Sequence, residues 1–481
     1  MLFNSFQFLF FFIIVTSLYF ALPYKNRWFL LLAASCYFYM AFVPIYILIL
    51  GFTIVIDYYA GIFIENASGA RRKLFLVVSL VANIGVLAIF KYYNFLVDNF
   101  SFLTQGFGLE NPIPYLSILL PVGLSFHTFQ AMSYTIEVYR GREKAERHFG
   151  IYALYVMFYP QLVAGPIERP QNLLYQFREK YDFDYARITS GLRLMLWGLF
   201  KKVVIADRLA IAVDLVYNNP EDHSNASLIL ATFYFAFQIF CDFSGYSDMA
   251  IGAARVMGFK LMNNFNGPYL SKSVQEFWSR WHISLSTWFK DYLYIPLGGN
   301  RVSIPRWYLN TFIVFLVSGL WHGASWNFVI WGALHGFYIA FANFTTKPRE
   351  AINKALFINK IPILKVFTTF ILVSFAWIFF RANNFETASY IISHLYDGFK
   401  EIAVNISQGQ PVFEYLGVSK IFVLGLIIFL ETVNYFKSKH NISDWFTKKP
   451  VAIRWGAYFV IVMMIMAFGV FEDRQFIYFQ F

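Results

Sequence analysis

The residues best suited to chemistry in this chain are histidines set in apolar sequence. An ionisable side chain inside a hydrophobic run costs free energy, which makes it a functional candidate by default. Of eight histidines, His127, His282, His322 and His335 have apolar surroundings. His148, His223 and His440 fall in loops, and His394 in the polar stretch 381–417, where solvation accounts for them. His322 lies in TFIVFLVSGLWHGASWNFVIWGALHG, residues 311–336. On one continuous helix Ser318, His322 and Ser325 would share a face, with Trp321 beside them as a cavity residue. Gly319 and Gly323 would form a small-xxx-small pair that lets helices approach closely. A neutral imidazole there can accept a proton, as a general base must. The alternative is a structural histidine bonded to a backbone carbonyl.

Three further clusters combine polar groups with apolar sequence. In residues 262–301, Phe277, Trp281, Leu285, Trp288 and Tyr292 recur at helical spacing, with Glu276, Arg280 and Ser284 on another face. That pattern predicts an amphipathic helix at the membrane interface, with His282 on its apolar side. Pro296, Gly298 and Gly299 should end it. Lys272, Arg280, Lys290 and Arg301 suit either the phosphates of a cofactor or lipid headgroups. In residues 237–259, Asp242 and Asp248 lie in or near a span, where a carboxylate needs a partner. They would orient a histidine, pair with Arg255, or hold the bundle through a salt bridge. In FYPQLVAGPIERPQ, residues 158–171, Gln161, Gly165, Pro166, Glu168 and Arg169 form a broken polar turn. Such a turn lines a cavity when it lies at membrane depth, and otherwise is a simple loop.

The elements that must position these groups are membrane helices. The chain has 481 residues, 58% hydrophobic and 14% charged, against about 45–50% and about 25% in a soluble domain. Apolar runs near the length of a bilayer span recur throughout, giving an all-α polytopic membrane protein of about 11–12 spans. The first run, 5–23, has no basic residue before it and reads as a span rather than a cleaved leader. The net charge of +11 is distributed unevenly. Loops 24–27, 65–73, 140–148, 347–365 and 437–450 carry eighteen Lys and Arg, whereas 98–116, 219–226 and 381–417 carry two. The positive-inside rule puts the five basic loops in the cytoplasm and both termini outside. No dense basic block points to nucleic acid. The two cysteines, Cys36 and Cys241, sit in no metal-binding pattern, so no metal site is expected. No nucleophile elbow, Walker A or HExxH occurs. The whole of 1–481 reads as a single membrane domain. A polysaccharide or acyl transporter is the non-enzymatic alternative, although its usual paired repeats are not visible.

The string EFWSRWHISLSTWFKDYLYIPLGGNR, followed about 20 residues later by SGLWHGASWNFVIWGALHG, resembles the membrane-bound O-acyltransferase superfamily. It is more narrowly similar to the alginate O-acetylase branch. The stretches 119–141, 158–170, 241–259 and the ending FIYFQF extend the resemblance over nearly the whole chain. The resemblance implies a helical bundle with short interfacial helices and a central funnel. It assigns His322 as the central catalytic histidine and His282 as the second. It implies a bacterial inner-membrane enzyme taking an acetyl group from a cytoplasmic donor, acetyl-CoA, for O-acetylation of an extracytoplasmic polysaccharide. A separate extracytoplasmic acetyltransferase partner would complete the transfer. D-alanyl transfer and peptidoglycan O-acylation are the neighbouring activities.

Overall fold

The computed structural model describes residues 1–117, 121–163, 165–355, 358–440, 442–471 and 476–479. Every regular element among the described residues is helical, as the bilayer requires of a chain that must satisfy its backbone internally. Six described helices are long and apolar enough to cross a membrane. A seventh span arises if Trp326–Phe344 is counted with Thr346–Ala355, which bends away from it by 72°. The chain is an all-α, multi-pass membrane protein. The first apolar run forms helix Phe6–Ala21, opened by Ser5, whose Oγ accepts the Phe8 N–H at 3.1 Å.

Packing divides the chain into two units, Met1–Met195 with Tyr246–Met262, and Leu196–Gly245 with Asn263–Phe481. In the first, the hydrophobic helices Ile47–Asn66, Gly69–Leu87 and Leu124–Tyr139 are tied by one polar knot. Asp57 accepts from Ser79 Oγ at 2.6 Å and from Asn83 Nδ2 at 2.9 and 3.0 Å. Ser79 also reaches Thr135 Oγ1 at 3.0 Å. A buried carboxylate needs such donors, because the apolar surroundings offer no water.

The second unit is built around an antiparallel hairpin, Ile304–His322 and Trp326–Phe344, with Pro362–Arg381 packed on its second helix. Its closeness follows from glycine. A Cβ on Gly319 would lie 2.2 Å from the Phe328 carbonyl oxygen and 3.3 Å from Gly332 Cα. The close approach expected of Gly319 is therefore present, and its partner is the next helix in the chain.

The expected interfacial helix takes a different form. Two short helices, Val274–Arg280 and Ile283–Phe289, replace it, followed by a π turn at Lys290–Tyr294. Its aromatic stripe faces protein rather than lipid. Phe277, Trp281, Leu285 and Trp288 are buried in protein, with Trp281 packed against Phe277, Phe265 and Trp377 at centroid distances of 5.1–5.4 Å. A stripe at helical spacing marks a buried face without saying whether lipid or protein buries it. Gly298 and Gly299, both at positive φ, end the segment. Asn310 Nδ2 pins that turn through the carbonyls of Leu297 and Gly299 at 3.0 and 3.2 Å.

Candidate active site

His322 is the last residue of its helix. Gly323 leaves the helical conformation (φ −163°, ψ 152°), and Ser325 begins the next helix by accepting the Asn327 N–H at 3.3 Å. The expected face of Ser318, His322 and Ser325 on one helix is thus corrected. Ser325 belongs to the following helix as its cap, because glycine at 323 ends the first one and serine is a preferred cap. Ser318 remains one turn before His322, and both are buried.

Four aromatic rings enclose the His322 imidazole. Trp321 and Trp331 stand 4.9 Å away, Phe380 5.3 Å and Tyr478 5.6 Å, centroid to centroid. His282 is fully buried beside Phe243 at 4.6 Å, Trp321 at 6.1 Å and Tyr478 at 6.3 Å. Trp321 and Tyr478 therefore flank both histidines. An imidazole enclosed in this way is screened from bulk water and keeps a fixed orientation, as proton transfer to a bound hydroxyl requires.

His282 sits at the break between the two short helices with φ +43°, the one non-glycine at positive φ among the described residues. That conformation costs about 1–2 kcal/mol for an L-residue, so its surroundings must impose it. Asn264 does so. Its backbone carbonyl accepts the Ile283 N–H at 3.0 Å and its Oδ1 accepts the Ser284 N–H at 3.2 Å. One asparagine thereby satisfies two donors at the start of Ile283–Phe289 and turns the His282 ring inward.

A cavity of about 260 Å³ opens next to the hairpin. Trp278, Phe289, Tyr294, Trp307 and Phe315 form its walls, exposed Lys290 also lines it, and Ser318 lies within it. The remaining sequence candidates fall as follows. Asp242 neither orients a histidine directly nor pairs with Arg255. Its carboxylate meets Lys202 Nζ at 2.7 Å and accepts the Ile477 N–H at 2.8 Å. Arg255 lies in the other unit and donates to Ser190 Oγ at 3.1 Å. Asp248 is half-buried in that same unit. Gln161 is there too, its amide donating to the Tyr155 carbonyl at 2.9 Å, which makes it a brace for the broken turn. Arg280 is held by Glu276 at 2.6 Å, four residues back. His335 accepts the indole N–H of Trp278 at 3.2 Å, a structural role. His148 is not simply solvated, because its Nδ1 caps helix Phe149–Met157. His223 pairs with Glu414 at 2.9 Å.

Sequence reasoning missed Lys201, Lys202, Asn264 and Tyr478. The lysines carried a usable signal, since two adjacent ammonium groups interrupt an apolar run. Lys202 is shared by Asp207 and Asp242, each at 2.7 Å. Lys201 donates to Ser244 at 2.8 Å. Asn264 carried none beyond its type, and Tyr478 only its place in the ending FIYFQF.

Residues 148–382, which include both His282 and His322, match the membrane-bound O-acyltransferase family. A probable alginate O-acetylase from Pseudomonas aeruginosa is 41% identical over 396 residues, covering 81% of this chain and 73% of its own. A peptidoglycan O-acetyltransferase from Helicobacter pylori is 36% identical over 427 residues, covering 81% of this chain and 78% of its own. A teichoic acid D-alanyltransferase from Bacillus subtilis is 27% identical over 294 residues, with 58% of this chain and 73% of its own covered. Relatives this similar over most of the chain, joined to an enclosed histidine pair, establish that the protein belongs to the membrane-bound O-acyltransferase family and is an O-acyltransferase.

Proposed function

We propose that this chain moves an acetyl group from cytoplasmic acetyl-CoA toward the hydroxyls of an extracytoplasmic polysaccharide of the alginate type, with His322 as general base. His322 takes the proton of the acceptor hydroxyl as its oxygen attacks the thioester carbonyl. Collapse of the tetrahedral adduct breaks the carbon–sulfur bond, and the imidazolium returns the proton to the departing thiolate. His282 positions the acceptor. The observation that carries this reading is the enclosure of His322 by four rings at the end of its helix, one turn after Ser318.

The donor side rests on the cavity. The basic loop 347–365 assigns the Phe344 end of the hairpin to the cytoplasm. The cavity follows the Trp307–Ser318 half of the first helix, which starts from that same side. Its apolar walls suit the slender pantetheine arm of an acyl thioester, and Lys290 suits a phosphate at the rim. In this reading residues 1–481 act as one enzyme in the bacterial inner membrane, with both termini outside. Asp242 and Asp248 serve the scaffold, and a separate extracytoplasmic acetyltransferase finishes delivery to the polymer.

A peptidoglycan acceptor is the second reading, favoured by a relative whose name specifies that activity and which covers as much of this chain as the first. The test is transfer of label from acetyl-CoA by the full chain in nanodiscs, offered alginate or peptidoglycan fragments with the extracytoplasmic fraction. His322→Ala should lower transfer by about 10²–10⁴-fold. Unchanged transfer at equal protein level would remove His322 from the mechanism. Label from a D-alanyl donor alone would move the chain to the neighbouring branch.

A further inference from the structure

We propose that Phe380, with Trp331 beside it, sets the length of the acyl group this enzyme transfers, by closing the chamber beyond a two-carbon chain. The inference rests on the acyl-transfer reading of His322 and narrows its donor class to the shortest acyl thioesters.

The rings around His322 divide by origin. Trp321 lies on the His322 helix and stands 6.1 Å from His282, on the side where the acceptor is held. Trp331 and Phe380 reach His322 from helices Trp326–Phe344 and Pro362–Arg381, at 4.9 and 5.3 Å. Trp331 also meets the donor side. It lies 5.7 Å from Trp278, a wall of the 260 Å³ cavity, and Ser318 of that cavity is one turn before His322. An acyl thioester held in the cavity therefore delivers its carbonyl between Trp331 and His322. The group that meets the acyl tail there is the Phe380 ring, 5.3 Å from both.

That ring is held in place. Phe380 is 1% exposed, with Trp377 and Phe328 each at 5.1 Å, and Trp377 stacks on Trp331 at 5.7 Å. Its backbone is pinned just downstream. Arg381 pairs with Asp214 at 2.8 Å, and Asn327 Nδ2 donates to the Ala382 carbonyl at 3.1 Å. The second bond ties the end of the Phe380 helix to the start of the Trp331 helix. A protein interior packs as densely as an organic crystal, so a longer acyl chain must displace a buried ring rather than fill a gap. The tail beyond the carbonyl takes no part in bond making. The acceptor oxygen adds to the carbonyl carbon and the sulfur leaves, whatever the tail. Its length is therefore judged by fit, and one misfitted methylene is worth about 10–200-fold in discrimination.

The experiment compares acetyl-, propionyl- and butyryl-CoA as donors for the full chain in nanodiscs, with alginate fragments as acceptor. Acceptor-dependent release of the CoA thiol reports the membrane enzyme's own step. Each variant is scored by its ratio of kcat/KM between donors, which does not depend on the fraction of folded protein. Wild type should prefer acetyl to propionyl by about 10–200-fold. Phe380→Ala should raise the butyryl-to-acetyl ratio by about tenfold or more, since truncating a buried ring leaves a cavity. Phe380→Leu removes less and should raise the propionyl-to-acetyl ratio more than the butyryl-to-acetyl ratio. Phe379→Ala is the control. It loses the same volume from the same helix, but its ring packs on Phe375 at 6.3 Å, and its ratios should match wild type. Unchanged ratios in both Phe380 variants would overturn the assignment while acetyl transfer stands. So would an equal shift in Phe379→Ala, or a wild type that uses butyryl-CoA as readily as acetyl-CoA. If His322→Ala releases thiol as fast as wild type, the acyl-transfer reading fails and the length limit falls with it.

Discussion

Gly319→Ala tests whether the hairpin contact sets the geometry of His322. The added Cβ would lie 2.2 Å from the Phe328 carbonyl oxygen, 3.1 Å from its carbonyl carbon and 3.3 Å from Gly332 Cα. All three are backbone atoms, so no side-chain rotation relieves them. A carbon approaches a carbonyl oxygen to about 3.3 Å, and the two helices must therefore part by roughly 1 Å. Two terms decide stability. Overpacking costs about 1–3 kcal/mol, and replacing a mid-helix glycine by alanine returns about 1 kcal/mol. The net loss is on the order of 0–2 kcal/mol, small enough to leave a folded protein. Catalysis should suffer more. His322 follows Gly319 by three residues on the same helix, and Trp331 of the opposite helix touches its ring. Separation of about 1 Å across that contact should cost roughly 100-fold in rate. The assay is labelled acetyl transfer beside thermal denaturation, with Gly425→Ala as control. Gly425 lies within helix Lys420–Lys439, and its Cβ would meet nothing within 4 Å. That variant should be fully active and slightly stabilised. Activity of Gly319→Ala within twofold of wild type would refute the claim that hairpin spacing positions the imidazole.

Asn264→Ala should strand the buried Ser284 N–H, cost about 1–3 kcal/mol in thermal or denaturant unfolding, and lower activity by letting His282 leave its positive φ. Lys202→Met should destabilise by about 3–5 kcal/mol, because it removes the cation shared by Asp207 and Asp242 and leaves both carboxylates buried. Gly323→Ala should be milder than Gly319→Ala in the same transfer assay, since the atoms nearest its Cβ belong to the Phe328 side chain rather than to backbone. Glu168, in the turn after Gly165, is pushed up to about 7 by burial, against which the Met262 N–H, Asn172 and Arg169 act weakly. A carboxyl whose folded value is raised favours the protonated fold. Its contribution to stability is complete below about pH 4.5 and is lost as pH rises through about 7, by up to about 1.4 kcal/mol per pH unit. Glu168→Gln should flatten that slope in melting temperature against pH, and an unchanged slope would show that Glu168 is not its source.

The helices were legible because apolar runs of span length admit few other structures in a bilayer. His322 and His282 were legible because an imidazole stands out in apolar sequence. Their surroundings were less so, for a physical reason that differs from residue to residue. A helical period drawn through Trp281 and Leu285 ignores the chain break at His282. No glycine or proline marks it, because the break is imposed by hydrogen bonds that the Ile283 and Ser284 N–H groups donate to Asn264, a partner outside both helices. Ser325 was assigned to the wrong helix because Gly323 ends one and Ser325 opens the next within three residues, a cap signal hidden by the periodicity on either side. Tyr478 was marked only by its place in the ending FIYFQF, since aromatic character alone is too common among 32 tyrosines and 59 phenylalanines to be informative. Asp242 shows the limit most clearly. A carboxylate in a span demands a partner, and that demand was readable. The expected salt bridge within the bundle is present, but its cation is Lys202 rather than Arg255, and the Ile477 amide adds a second donor. The cost of burying a charge thus identifies where a chain must make a polar contact. Which group answers is decided by tertiary proximity, and at Asp242 that answer ties a distant tyrosine to the histidines.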